Sequence, residues 1–117
     1  MSDAQEPAPL VTAVVAALAG VRTGQEVVVM GLASTLRRAL EAGTGRGVVE
    51  VGPADVVVAL SAPDVPDAVA MLRPGGRLVA LAADAGAIER TAARHGLVLQ
   101  HTESVAGRVA WSASLPT

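Results

Sequence analysis

The stretch "EVVVMGLASTLRRAL", residues 26–40, decides the fold. Its β-branched run, Val27-Val28-Val29, lies between a turn and Gly31. An apolar run without alternation suits a strand buried on both faces, as in a parallel sheet. Residues 34–42 then read as a helix, with Ser34 as N-cap and Gly43 as stop. A strand, a glycine and a helix in succession put free helix N–H groups at a strand end, where nucleotides bind. The loop here, Gly31-Leu32-Ala33-Ser34-Thr35, carries one glycine where such loops use two or three.

The same reading extends along the chain. Residues 1–8 read as a disordered polar leader and 9–117 as one domain. Residues 9–19 predict a helix that starts at Pro9 and ends at Gly20. "VVEV" (48–51) and "DVVVAL" (55–60) read as strands parted by "GPA", residues 52–54. "DVPDAVAML" predicts a short helix, "RPGG" (73–76) a turn, and "RLVALA" (77–82) a further buried strand. Asp84 is placed to cap a helix that Gly96 stops. "LVLQHTES" and "RVAWSASL", joined by "VAG", predict an antiparallel hairpin. The alternation of strand and helix predicts an α/β fold. Its sheet is mostly parallel, with helices on both faces and the antiparallel hairpin at the C-terminus.

Composition narrows the chemistry. The 117 residues include no Cys and no Lys, so there is no disulfide, Cys-based zinc site or Schiff-base lysine. Lys, Asn, Phe and Tyr are absent and Ile88 is the only isoleucine, a bias that reads as a GC-rich bacterial genome. The net charge is −2, and the nine arginines form no stripe. Trp111 is the only aromatic residue, so no base-stacking platform exists and nucleic acid is not an expected partner. The start "MSDAQEPAPL" lacks a basic n-region, and "LVTAVVAALAGV" is too short to span a bilayer. A cytoplasmic protein without a membrane partner is expected.

"MLRPGGRLVALA" (71–82) resembles the helix, turn and strand late in class I S-adenosylmethionine-dependent methyltransferases, whose segment reads L-x-PGG-x-L. "ADVVVAL" (54–60) resembles the strand before it, and "LVTAVVAALAGVRTGQEVVVMG" the helix, loop and first strand of that domain. The resemblance covers residues 9–115 and implies a Rossmann-like methyltransferase fold. Against the family pattern, Val29 stands at the acidic position ending the first strand. Ala33 and Thr35 stand where the second and third glycines would be. The acid that ends the family's second strand would fall at Gly52, and Glu50 lies two residues early. A link as short as "GPA" cannot join two parallel strands on opposite sides of the first, since even neighbouring parallel strands need about a dozen residues. "VVEV" is then an extended approach segment, an antiparallel edge strand, or a strand paired with another subunit. The expectation is a trimmed sheet that lacks the third strand and its flanking helices.

The resemblance makes Gly31, Leu32, Ala33, Ser34 and Ser61 the candidate cofactor residues. No catalytic residue and no metal site is assigned. Asp84 reads as a helix cap and His95 as a surface residue. His101 and Glu103 face one side of a strand but lack a third ligand, and Trp111 reads as core or interface. Arg37-Arg38 read as a solvated helix face. The glycine-poor loop, the missing second-strand acid and the trimmed sheet imply a non-catalytic methyltransferase-like binding, scaffolding or regulatory module that needs no cofactor. It would self-associate or be covered by a protein partner. The alternative is a small S-adenosylmethionine-dependent methyltransferase or S-adenosylmethionine-binding protein.

Overall fold

The computed structural model describes residues 7–31 and 33–117, so most of the expected leader, and Leu32, lie outside the described residues. In chain order the elements are α1 (Pro9–Ala19), β1 (Val27–Met30), α2 (Ser34–Thr44) and β2 (Ala54–Ala59). A 3-10 turn (Ala62–Asp64), α3 (Val65–Ala70), β3 (Leu72–Ala82), α4 (Ala85–His95), β4 (Val98–Val105) and β5 (Arg108–Ser114) follow. One sheet runs β1-β2-β3-β5-β4. β1, β2 and β3 are parallel, while β5 pairs antiparallel with both β3 and β4.

The apolar runs explain the layers. Alternate residues of a strand face opposite sides, so a run without alternation supplies two cores. Val27, Val29, Val56, Val58, Val79 and Leu81 face α1 and α2 and pack with Val11, Val15, Leu36 and Leu40. Val28, Val57, Leu78, Ala80 and Trp111 face α3 and α4 and pack with Val65, Ala68, Ile88 and Ala92. Among the described residues no helix is long and apolar enough to cross a membrane.

Four local expectations are corrected. Ala33, not Ser34, precedes α2 as its cap residue. The Ala33 carbonyl already accepts the Arg37 N–H at 2.9 Å. Gly43 does not stop α2: the helix runs to Thr44, and Gly45 closes it at φ 75° with its N–H on the Glu41 carbonyl. Gly43 instead lets α2 lie against Val21, whose Cγ2 would be 2.6 Å from a Cβ there. "RPGG" is not a free turn but a bulge inside β3. Between paired residues, β3 advances from Leu72 to Arg77 while β2 advances only from Ala54 to Val56. The Gly75 N–H donates to the Leu115 carbonyl at 2.7 Å, and the Leu115 N–H to the Gly76 carbonyl at 2.9 Å.

The fourth correction concerns "VVEV". Val49 forms a parallel bridge with Val28, so this segment lies on the outer edge of β1 while β2 occupies the inner edge. Both flanks of β1 are filled, which the length of the link excluded for two full strands. The outer strand has contracted to one bridge, with the Val49 N–H on the Val27 carbonyl at 2.8 Å. The chain then turns back through Gly52 against Met71 and enters β2.

Candidate functional site

β1 and β2 end side by side, with Met30 level with Ala59. Gly31 and Ser61 therefore leave the sheet at the same pole. Beyond β1 the chain turns to the face that buries Leu36 and Leu40 of α2. Beyond β2 it turns to the other face, where α3 buries Val65 and Ala68. The strands diverge at a topological switch point, where open α/β sheets bind their ligands.

The residues of this crevice follow from the two turns. Gly31 has φ 105°, and a Cβ built there meets nothing within 4 Å, so its front is open. Ala33 is 1% exposed and belongs to the core. Its methyl group therefore points away from the crevice. Ser34 and Thr35 are exposed on the first turn of α2. Leu32 lies outside the described residues. Ser61 is exposed, and its carbonyl accepts the Asp64 N–H at 3.0 Å. Asp84 acts as the expected cap, with Oδ1 accepting the Ala87 N–H at 2.8 Å.

Two residues enter the site that the sequence reading left out. Arg37 Nη2 donates to the Val29 carbonyl at 2.7 Å and lies 3.4 Å from the Gly31 carbonyl. Its Nη1 is 3.8 Å from Glu50 Oε2, on a side chain that is 87% exposed. Arg37 is thus not a free surface cation. It supplies a donor to an edge carbonyl that the contracted outer strand no longer reaches. Glu50 follows the Val49 bridge directly, which brings its carboxylate within 3.8 Å of Arg37. The signal in the sequence was a lone Val-Val-Glu run with too little chain after it to form a full strand.

The opposite pole is polar for structural reasons. Arg73, carried by the β3 bulge, pairs with Glu26 and lies 3.0 Å from Asp55. The Glu26 N–H donates to Asp55 Oδ2 at 2.8 Å. That backbone bond first, and Arg73 second, hold the Asp55 carboxyl below its ordinary pKa of 3.8. A depressed carboxyl pKa adds stability above the unfolded-state value, and that stability is lost as pH falls through the folded value. Unfolding free energy is expected to decline in acid, and Asp55→Asn to flatten the decline. An unchanged acid slope in the variant, followed by urea unfolding, would contradict this assignment. A cleft of about 210 Å³ opens at the same pole beside Arg22, Gln25, Arg77 and Gln100. Arg77 is already engaged there, on the Ala19 carbonyl at 2.9 Å and on Gln100 Oε1 at 3.1 Å. It ties the end of α1 to β3.

No protein-family model and no curated protein sequence matches the chain. Solved structures do. A precorrin-6y C5,15-methyltransferase from Geobacter metallireducens superposes with a TM-score of 0.68 at 11% identity, over 92% of this chain and 88% of that one. An O-methyltransferase family protein from Burkholderia thailandensis gives 0.66 at 14% identity, over 92% and 55%. An RNA methyltransferase from Salinibacter ruber, solved with S-adenosyl-L-homocysteine, gives 0.54 at 16% identity, over 94% of each chain. The fold is the class I methyltransferase-like Rossmann fold.

In this methyltransferase-like domain the motif that carried the resemblance is not part of the crevice. Its Pro74, Gly75 and Gly76 form the bulge at the far pole and aim Arg73 at Glu26 and Asp55. Among the described residues no group of three His, Cys, Asp or Glu could hold a metal ion.

Proposed function

We propose that this domain binds S-adenosylmethionine in the crevice between β1 and β2 and works as a small methyltransferase. One observation supports the reading: β1 and β2 end level, Met30 against Ala59, and diverge at a switch point where a Cβ on Gly31 would meet nothing within 4 Å. The missing glycines do not block it, because the Ala33 methyl lies in the core and Thr35 faces solvent. S-adenosylmethionine supplies a methyl group on a sulfonium, which passes to an acceptor nucleophile and leaves a thioether. The protein's part is to position the donor, mostly a proximity effect. Gly31 permits close approach of the backbone, the Ser61 hydroxyl offers a donor and an acceptor, and the Glu50 carboxylate accepts from ribose hydroxyls. A second reading, a binding or scaffolding module without transfer, draws support from Asp84, whose carboxylate is engaged in capping α4.

Calorimetric titration with S-adenosylmethionine and S-adenosylhomocysteine tests the proposal. Micromolar binding is expected, weakened about tenfold by Glu50→Gln, since a hydrogen bond to a charged group contributes about 1.5–3 kcal/mol and one to the neutral amide that replaces it about 0.5–1.5. Ala33→Gly with Thr35→Gly is expected to leave the affinity unchanged, because neither side chain occupies the crevice. No heat at millimolar ligand from folded protein would overturn the reading. Binding with no transfer to any acceptor would favour the second.

A further inference from the structure

The two edges of the sheet are finished differently. On the β1 edge, the Val27 carbonyl accepts from Val49 and the Val29 carbonyl from Arg37. β4 forms the other edge, and residues 98–104 of it are exposed, with Val98 at 56% and Leu99 at 41%. The strand carries no Pro and no Lys, and its one bulge lies between Leu99 and His101, outside the stretch 101–105.

The hairpin turn fixes which groups of β4 face outward. Ala106 and Gly107, at φ 49° and 76°, form a two-residue turn closed by the pair Val105 and Arg108. The closing pair of such a hairpin exchanges both hydrogen bonds, and pairs alternate from there. Val105, Glu103 and His101 therefore direct N–H and C=O toward β5. Ser104 and Thr102 direct theirs out of the sheet. A bulge between Leu99 and His101 ends this regular stretch.

We propose that β4 pairs antiparallel with β4 of a second copy about a two-fold axis through Thr102, making one sheet across the dimer. Outward groups must meet outward groups, which requires an axis through a residue; one through Ser104 would set Thr102 against the turn residue Ala106, which leaves axes through His101, Thr102 or Glu103. The Glu103 axis sets that carboxylate against itself. The His101 axis sets imidazole against imidazole and Leu99 against Glu103. Only the Thr102 axis sets His101 against Glu103 of the second copy, twice, while the two Thr102 residues exchange backbone bonds. An imidazole N–H donates to a carboxylate in either protonation state. The edge is thus complementary in charge to itself, which commits it to a second copy rather than to another strand. The proposal is independent of cofactor binding.

Sedimentation equilibrium of the full chain tests it. A species of twice the 11.7 kDa chain mass is expected. His101→Glu and Glu103→His, each placing like groups opposite one another twice, are expected to weaken the dimer about tenfold. The double variant, which swaps the pair, is expected to restore it. Thr102→Pro removes only an outward N–H and is expected to give a monomer with an unchanged circular dichroism spectrum. A monomer at every concentration, or a double variant no better than the singles, would overturn the proposal. Should Thr102→Pro fail to fold, the swap series decides alone.

Discussion

Trp111→Ala is expected to destabilise the domain by about 3–5 kcal/mol. The side chain is 1% exposed and heads the fully buried residues by volume. It sits mid-strand in β5, level with Ala80 on β3 and Thr102 on β4, and its ring belongs to the core that holds Leu78, Ile88 and Leu97. Neighbours in that core include Ala80, Ala92 and Ala113, too short to collapse into the space left behind. An ordinary domain of 117 residues has about 6–18 kcal/mol in all, so the loss is a large fraction. Trp111→Phe separates two causes. The indole Nε1 is buried and makes no hydrogen bond. Leaving such a donor unpaired costs about 1–3 kcal/mol, which phenylalanine avoids while keeping most of the volume. Its net cost is expected to stay below about 2 kcal/mol. Urea unfolding followed by far-ultraviolet circular dichroism measures both. Equal losses would show that ring volume is not what Trp111 contributes.

Gly52→Ala is expected to cost about 3 kcal/mol, at the upper end for overpacking. A Cβ at this position would lie 2.3 Å from the Met71 carbonyl oxygen and 2.9 Å from the Met71 Cβ. The clash is with backbone, so no side-chain rotation relieves it. The same carbonyl accepts the Ala54 N–H at 2.8 Å, the bond that starts β2 beside β3. Pushing Gly52 away loosens that bond and the parallel register behind it. Gly47→Ala is the control: a Cβ there meets only Glu41 Oε2, at an ordinary 3.7 Å. A change within about 0.5 kcal/mol is expected. Comparable shifts of the urea midpoint for the two variants would refute the close-packing account of the Gly52 turn.

Gly52 also marks where sequence reasoning stopped. The elements that local chemistry decides were legible. Pro9 and Gly20 bound α1 as expected, at Pro9–Ala19. Asp84 and Gly96 bound α4, and the hairpin turn falls at Ala106-Gly107. Each of these signals acts within one turn of chain. The fold class needed only the apolar runs and the connection rules added to them, while the strand order β1-β2-β3-β5-β4 came from the tertiary structure. Apart from the one-residue shift of the α2 cap, the errors have another cause. Gly43 continues α2 because Val21 packs against it, and the glycines after Pro74 form a bulge because Leu115 pairs with them. Those partners lie far away in sequence.

The candidate site divides in the same way. Gly31 and Ser61 were legible as strand ends. Arg37 and Glu50 were not, since the first answers a carbonyl orphaned by a contracted strand and the second is placed by one bridge. The sequence by itself determined an α/β domain, because period and glycine placement act on the backbone directly. Only the tertiary structure decided which side chains meet at the crevice, which edge is closed and which is open. Those outcomes depend on hydrogen-bond partners and excluded volume brought together by the sheet, and no local pattern encodes them.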